Sequence, residues 1–422
     1  TDVGHMTQDD VADAGGEDKM EKALKSKEGE AFANVWDLAR FYAGAFLDDW
    51  RGMNLVEPTV RPRATEHMRE QIQAVAQLIE QNNAYETPTG VYFAVDSFAD
   101  YGKLSGNKDR ENLQVAVRDV VQDDNKRSPA DFALWKKDDK HLMQWFSPWG
   151  WGFPGWHIEC SVMARQYLGD TIDLHGGGED LKFPHHECEI AQSESTTKKP
   201  FCNHWIHVTF LQVDGEKMSK SKGNFYTPRE LVQEGYDPFA LRYALISVPY
   251  GKPMNFTLQS VTEASKNIER FREELRRADG AQSTEPPVGH ELAGLYEECL
   301  GAMLEDLNTS VAIAKALEGA KAINRNTTPS DEEKGYAAWF LEKVNGLLGV
   351  VAYDNGYSVA EKVADLTEEL VDGKTVDEWI EERATAKASR DFSRADQIRG
   401  MLNDAGIELR DSPEGTTWVK KA

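Results

Sequence analysis

The fold class is decided by residues 155–193 (the core segment), which read GWHIECSVMARQYLGDTIDLHGGGEDLKFPHHECEIAQS. The spacing of apolar residues predicts a helix over 157–168 and a second helix over 185–195. Between these helices, Thr171-Ile172-Asp173-Leu174-His175 predicts a strand. A helix, a strand and a helix in this order indicate half of a parallel α/β domain.

The sequence upstream of the core segment predicts helices followed by an inserted module. Apolar residues recur at helical spacing over 19–55, and a second helix is predicted over 66–81. The run Val91-Tyr92-Phe93-Ala94-Val95 predicts one strand of a hairpin. Residues 97–140 are polar and indicate a loop-rich insertion, which a tryptophan-rich segment follows.

Downstream of the core segment the pattern becomes helical. A strand-rich stretch is predicted over 201–213, and helices follow from 227 to 352 with breaks at 279–289 and 325–330. The tail predicts helices over 375–389 and 392–405, with Gly406 as a C-cap and a hairpin after it. The predicted domains are the first part of a core (1–65), an insertion (66–145), the second part of the core (146–208), a lysine-loop region (209–260), a helical domain (261–350) and a C-terminal module (351–422).

The composition is that of an acidic globular protein. The chain has 422 residues and a formal charge of −24, and this length predicts two to four domains. No apolar run approaches the roughly 18 residues of a membrane span, and no secretory signal pattern is present. Four scattered cysteines favour a reducing cytoplasm over a disulfide framework. The net negative charge opposes a nucleic-acid partner, but it does not describe the local distribution of charge. Lys217, Lys220 and Lys222 form a local basic cluster that such a partner could contact.

Three residues of the core segment have the chemistry of a zinc site. His185 and Glu189 are four residues apart, so a helix places both side chains on one face. Cys160 lies at the start of the preceding helix, and a thiolate, an imidazole and a carboxylate together suit Zn²⁺ better than Mg²⁺ or Ca²⁺. The alternative, a buried thiol beside two surface polar residues, stays open on spacing alone. A zincin helix is excluded, because it needs a second histidine where Ile190 stands.

A lysine-rich segment, Gly215-Glu216-Lys217-Met218-Ser219-Lys220-Ser221-Lys222-Gly223-Asn224, predicts a loop that handles phosphates. Such a loop can close over a polyphosphate, neutralise the charge that develops on the leaving group, and open again. The alternative is a solvated basic surface loop. The order Lys-Met-Ser-Lys-Ser is much rarer than basic loops in general, and it favours nucleotide handling.

A glycine-rich segment, from His175 through Gly176, Gly177 and Gly178 to Asp180, is predicted to leave a strand and enter a helix. Glycines at such a place let a ligand approach the backbone, and a helix N-terminus favours anionic groups. The carboxylate of Asp180 is a candidate to bind ribose hydroxyls. The alternative is a flexible turn without a ligand.

Taken in order, these segments resemble class I aminoacyl-tRNA synthetases, and specifically the cysteinyl-tRNA synthetases. The resemblance rests on residues 155–161, 175–180, 183–193, 205–207 and 217–221. Similarity extends over nearly the whole chain, through residues 1–3, 62–65, 126–127, 131–136, 306–309 and 391–399. The order and breadth of these matches make the resemblance more specific than any single motif.

The resemblance implies an α/β fold with a Rossmann-like catalytic core, incomplete in this sequence, and an inserted connective module. A helical-bundle anticodon-binding domain and a small mixed α/β C-terminal module would follow. It implies that Cys160, His185 and Glu189 are three of four zinc ligands, and that Thr1 and Trp156 line the amino-acid pocket. The catalytic lysines would be Lys217 and Lys220, which stabilise the pyrophosphate side. The ATP or adenylate would be bound by His175, Gly178, Glu179, Asp180, the Ile206 backbone and Lys220.

The resemblance also implies an activity and its partners. The enzyme would activate cysteine with ATP and Mg²⁺, with one Zn²⁺ per chain binding the substrate thiolate, and transfer cysteine to tRNA(Cys). It would act as a cytoplasmic monomer without a membrane partner. In the family, a first strand supplies the fourth zinc ligand, a cysteine, and a His-Ile-Gly-His signature follows. Neither occurs in this sequence, so we expect an N-terminal segment to be missing and the chain to be inactive alone.

Two other functions stay open on the sequence. One is the related ligase that joins cysteine to an amino-sugar inositol in mycothiol synthesis, which shares the zinc and lysine motifs but lacks a full anticodon-binding region. This chain has about 160 residues beyond the core, which opposes that function. The other is a noncatalytic paralogue that binds tRNA or protein, which the intact zinc and lysine motifs oppose.

Overall fold

The structure of the chain is a computed structural model that describes residues 2–4, 19–26, 29–107, 125–219, 222–353, 370–371, 374–389, 391–405, 407–412 and 415–420. The chain forms two compact units, Thr1–Tyr353 and Asp354–Ala422. Among the described helices, none combines the length and apolar character required to cross a bilayer.

The first unit begins with the predicted helices. Helix α1 (Lys19–Leu24) and helix α2 (Val35–Gly52) are separated by a short 3-10 turn, and α3 (Met68–Glu80) follows. The side chain of Asn34 starts α2 by accepting hydrogen bonds from the backbone of Trp36 and Asp37. The helical predictions for 19–55 and 66–81 are therefore confirmed, with a break before α2.

An antiparallel sheet of five described strands follows. Its strands are β1 (Ala84–Glu86), β2 (Gly90–Phe93), β3 (Phe132–Lys137), β4 (Trp145–Ser147) and β5 (Gly150–Pro154), in the order β1-β2-β3-β5-β4. The predicted hairpin at 91–95 is confirmed as β1 paired with β2. The loop-rich prediction for 97–140 is wrong at β3, which lies in the centre of the sheet with Phe132, Leu134 and Trp135 fully buried. The sheet also crosses the predicted domain boundary at residue 145.

The core segment has the predicted α/β order. Helix α4 (Trp156–Leu168), strand β6 (Ile172–Gly178), helix α5 (His185–Thr197) and strand β7 (Cys202–Val208) follow one another. Strands β6 and β7 pair in parallel, with Gly176 opposite Ile206 and Gly178 opposite Val208. The segment leaves a strand and enters a helix as predicted, but the strand extends through all three glycines to Gly178, and a 3-10 turn at 179–182 makes the connection to α5.

A small sheet and a helical bundle complete the first unit. The sheet contains β8 (Leu211–Val213), β9 (Glu216–Lys217) and the unpredicted β10 (Met254–Phe256). The helices are α6 (Pro228–Gln233), α7 (Pro238–Ile246), α8 (Leu258–Arg277), α9 (Glu291–Leu304), α10 (Thr309–Arg325) and α11 (Asp331–Leu348). One hydrophobic core joins Val213, Phe239, Phe271 and Phe340. Helix α8 and this core both cross the predicted boundary between residues 260 and 261.

The second unit has the predicted two helices and hairpin. It contains β11 (Leu370–Val371), β12 (Lys374–Thr375), α12 (Val376–Ala388), α13 (Phe392–Asp404), β13 (Ile407–Ser412) and β14 (Gly415–Lys420). Strands β13 and β14 pair antiparallel, and Trp379, Ile398 and Leu402 form the centre of its core. The predicted C-cap, Gly406, lies outside the described residues.

Candidate functional site

Helices α4 and α5 bring three potential metal ligands together. The ligand atoms of Cys160, His185 and Glu189 all lie within 4.8 Å of one another. Cys160 is partly buried, while His185 and Glu189 are buried, with Glu189 only 1% exposed. The structure therefore groups the three residues that the sequence singled out for zinc.

Glu189 has one oxygen that lacks a hydrogen bond. Its Oε2 is hydrogen-bonded to Nε2 of His175 at 2.8 Å. Its Oε1 is buried and makes no hydrogen bond to a described residue, and Nε2 of His185 lies 3.4 Å away. A buried carboxylate oxygen without a partner is costly, and a cation between Cys160, His185 and Glu189 would satisfy it. The sulfur, nitrogen and oxygen donors fit Zn²⁺.

Without a bound cation, the surroundings favour a protonated Cys160 and an ionised Glu189. Burial raises the pKa of the Cys160 thiol well above its usual range, and the charge of Glu189 raises it further. Burial also raises the pKa of Glu189, but the hydrogen bond from His175 and the nearby imidazole of His185 outweigh that effect and lower it to about 2. Glu189 is thus a carboxylate in a site that disfavours a second negative charge. A bound Zn²⁺ would reverse this for Cys160, because coordination deprotonates a thiol.

A second histidine group adjoins Glu189 on its other side. The ligand atoms of His175, His186 and Glu189 also lie within 4.8 Å of one another. Nδ1 of His186 is hydrogen-bonded to Nε2 of His207 at 2.9 Å. Burial lowers the pKa of His186 to about 4, so its imidazole is neutral at neutral pH. This group has no sulfur donor, so a soft metal favours the group that contains Cys160.

The predicted amino-acid pocket is represented by one described residue. The indole of Trp156 packs against the imidazole of His185, with the ring centroids 4.5 Å apart. Trp156 therefore lies beside the three potential ligands. The other predicted pocket residue, Thr1, lies outside the described residues.

The predicted nucleotide-binding residues follow the end of β6. A side chain at Gly177 would collide with the imidazole of His186, and one at Gly178 would collide with the carboxylate of Asp180. Position 177 therefore favours glycine, because the imidazole of His186 is buried, whereas the exposed carboxylate of Asp180 can move away from Gly178. Glu179 and Asp180 are exposed at the end of the strand, while the backbone of Ile206 lies beside Gly176 through the parallel pairing.

The lysine loop is described in part. Lys217 lies on β9 and is exposed, whereas Lys220 lies outside the described residues. Nζ of Lys222 forms an ion pair with Glu216 at 2.7 Å. The side chain of Asn224 closes the loop, because its Oδ1 accepts from the backbone of Ser219 at 2.8 Å. Its Nδ2 donates to the carbonyl of Lys217 at 3.3 Å.

Comparison with known proteins assigns the chain to a family. A model of the class I tRNA synthetase (C) catalytic domain matches residues 12–266, and a DALR domain model matches residues 300–352. The cysteine--tRNA ligase of Salinibacter ruber is 50% identical over 447 residues, covering 100% of this chain and 86% of the relative. The chain belongs to the cysteine--tRNA ligase family. The corresponding enzyme of Chlorobaculum tepidum is 40% identical over 426 residues, covering 100% of this chain and 85% of the relative.

Solved structures agree on the fold of this class I synthetase. The methionyl-tRNA synthetase of Mycobacterium tuberculosis bound by methionyl-adenylate superposes with a TM-score of 0.55 at 13% identity. The superposition covers 89% of this chain and 87% of that one. The whole-chain match to cysteine--tRNA ligases favours this family over the mycothiol ligase and over a noncatalytic paralogue.

Sequence reasoning missed two residues that this cysteine--tRNA ligase fold places beside the potential ligands. His157 is buried, and its Nδ1 lies 2.7 Å from Nδ1 of His185. Glu187 is fully buried and accepts hydrogen bonds from the backbone of the loop at 102–105. A signal for His157 was available, since it precedes Cys160 by three residues and shares its helix face. No local pattern distinguishes Glu187 from a surface carboxylate.

Proposed function

We propose that this protein activates cysteine with ATP to cysteinyl-adenylate and transfers the cysteinyl group to the terminal ribose of tRNA(Cys). Membership of the cysteine--tRNA ligase family supports the proposal. The observation that carries it is the buried Oε1 of Glu189, which has no hydrogen-bond partner among the described residues and faces Cys160 and His185. This donor set suits a cation that binds a thiol.

The proposed metal site consists of Cys160, His185 and Glu189. A bound Zn²⁺ would supply a soft Lewis acid for the sulfur of the substrate cysteine. Glu189 holds a fixed negative charge there, because the hydrogen bond from His175 stabilises its ionised form. The indole of Trp156 packs against the imidazole of His185 and would shield one side of this ligand from water. An apolar pocket alone would separate cysteine from serine by only about 1–3 kcal/mol, so the donor set determines the selectivity.

The proposed ATP and adenylate site lies at the ends of β6 and β7. The carboxylates of Glu179 and Asp180, which are exposed, would accept hydrogen bonds from ribose hydroxyls, and the backbone at Gly178 and Ile206 would contact the adenylate. Lys217, with Lys220, would neutralise the pyrophosphate that leaves together with Mg²⁺. The chain supplies position and charge to an in-line attack by the substrate carboxylate, and no protein nucleophile is needed.

The proposed tRNA partner contacts the helical bundle. The DALR match covers residues 300–352, which contain the end of α9 and the whole of α10 and α11. We propose that this bundle binds the anticodon stem and that the second unit assists in this binding. We also propose that the enzyme is a monomer and acts in the cytoplasm.

Zinc content and cysteine binding test the proposed site. We expect the purified protein to contain about one zinc per chain, and Cys160→Ser or His185→Ala to lose zinc and cysteine binding together. Glu189→Gln keeps an oxygen donor without the charge, so both losses should be smaller. Metal content is measured by mass spectrometry and binding by titration calorimetry with cysteine and serine.

The matched control is Cys202→Ser, which changes another partly buried cysteine on β7. It should keep zinc and the preference for cysteine. A zinc-free Cys160→Ser protein that still strongly preferred cysteine would refute the proposed source of selectivity. A wild-type protein without zinc would refute the metal site itself.

A further inference from the structure

His157 on α4 makes a short contact with a proposed metal ligand. Its Nδ1 lies 2.7 Å from Nδ1 of His185, and both imidazoles are buried. Two imidazole nitrogens at this distance form a hydrogen bond only if one carries the proton and the other a lone pair. The contact therefore couples the tautomer of His185 to that of His157.

The geometry determines which nitrogen of His185 is available to a metal. Nε2 of His185 lies on the side of Glu189, 3.4 Å from Oε1, whereas Nδ1 is turned to His157. A metal bound at Nε2 needs the lone pair of that atom, so the neutral ring must carry its proton on Nδ1. Nδ1 of His185 then donates, and Nδ1 of His157 accepts.

We propose that His157 is a positioning residue that holds His185 in the tautomer and orientation required for metal binding through Nε2. This inference rests on the proposed function, because it takes His185 as a zinc ligand. Partners of this kind fix the ring of a ligating histidine, and their loss typically lowers metal affinity 10–100-fold. Here the partner is another histidine, where a carboxylate or a backbone carbonyl is more usual.

The surroundings of His157 hold its ring in place. The ring lies edge-on to Phe132 at 5.9 Å and parallel to Trp156 at 6.0 Å between centroids. His157 and Cys160 are three residues apart on α4, so one helix face supplies a ligand and the residue that orients another ligand. Phe132 belongs to β3, so the antiparallel sheet supports the position of the metal site.

Two variants separate the hydrogen bond from packing. His157→Leu removes the acceptor, whereas His157→Asn places an amide oxygen near the position of Nδ1 and can still accept from His185. Zinc affinity is measured by competition with a chromophoric chelator, and the melting temperature of each metal-free protein reports on folding. We expect His157→Leu to bind zinc about 10–100-fold more weakly and His157→Asn to retain most of the affinity.

The outcomes distinguish this inference from the proposed function. If Cys160→Ser retains as much zinc as the wild type, the proposed function is overturned. Zinc bound at Cys160 with equal affinity in wild type and His157→Leu overturns the role of His157, as does an equal loss in both variants. If His157→Leu fails to fold, nitrogen NMR of the ¹⁵N-histidine-labelled zinc protein decides. An unprotonated Nδ1 on His157 supports the inference, and a protonated one overturns it.

Discussion

Replacing Glu187 should release the loop at 101–107 from the helix that carries the potential metal ligands. Glu187 lies on α5 and is 0% exposed. Its Oε1 accepts from the backbone of Leu104 at 2.8 Å and from both the backbone and the hydroxyl of Ser105 at 2.6 and 2.8 Å. Its Oε2 accepts from the backbone of Gly102 at 3.0 Å. One carboxylate therefore satisfies three backbone donors of this loop.

The expected effect follows from these bonds. A hydrogen bond to a charged group contributes about 1.5–3 kcal/mol, so the two shortest backbone bonds alone amount to about 3–6 kcal/mol. We expect Glu187→Ala to lower the free energy of opening of the loop by about 3 kcal/mol or more, because bonds that share one acceptor are not additive. Glu187→Gln should lose less, since its remaining oxygen keeps an acceptor for Leu104 and Ser105.

Hydrogen exchange of the loop amides measures this free energy directly. A loss of about 3 kcal/mol corresponds to exchange more than about a hundredfold faster at Leu104 and Ser105. The control is Lys103→Ala, which removes an ion pair between the same loop and helix, with Lys103 Nζ 2.6 Å from Glu194. That pair is partly exposed, so its loss should cost at most about 1 kcal/mol. Equal exchange in the two variants would contradict the argument.

Two further predictions concern the helical bundle. Gly319→Ala should destabilise the protein by about 1–3 kcal/mol, because the added methyl collides with the buried ring of Phe340, whereas Gly301→Ala, which meets no described atom within 4 Å, should stabilise it by roughly 0.5–1 kcal/mol. Calorimetric melting compares the two, and equal melting temperatures would contradict the packing argument. Binding of tRNA(Cys) should weaken about tenfold or more between about 50 and 200 mM salt. Filter binding also compares the normal transcript with one of altered anticodon, and the altered transcript should bind more weakly. Equal affinities of the two transcripts would oppose the assignment of the bundle to the anticodon stem.

The helices of the core segment were predictable because their ends are marked in the sequence. Gly155 precedes α4, and Gly169 ends it with a φ of 91°, a conformation that favours glycine. The spacing of His185 and Glu189 is sufficient by itself to place both side chains on one face of α5. Cys160 was predictable as a third member of this group, because two helices that flank one strand pack against each other.

Strand β3 was not predictable, because its support comes from distant residues. Gly90 pairs with Lys136, and Trp135 pairs with Pro154, so its neighbours lie far away in the sequence. It is buried on both faces, which removes the alternation of polar and apolar residues that marks a half-buried strand. The sequence predicts that the strand ends before the three glycines of β6, whereas pairing with β7 extends it to Gly178 and overrides the low strand propensity of glycine.

Helix α8 spans the boundary predicted between residues 260 and 261. Helix α8 begins at Leu258, where Thr257 and Ser260 form a capping box that the sequence displays. The shared core of α7 and α8 is invisible to local patterns, because Phe239 and Phe271 meet only after the chain has folded. A deletion after residue 260 would therefore expose this core, and single substitutions on the bundle surface are the better test of tRNA binding.

Helix α5 shows why a functional helix can resemble a surface helix in its sequence. His185, His186, Glu187 and Glu189 are all polar, yet each is at most 5% exposed. Burying so many polar groups is unfavourable unless each has a partner, and the partners are distributed around the helix. His157 faces His185, His207 faces His186, and the loop at 102–105 faces Glu187. Glu189 retains one oxygen without a described partner beside Cys160 and His185, and a metal ion bound by these three residues would satisfy it.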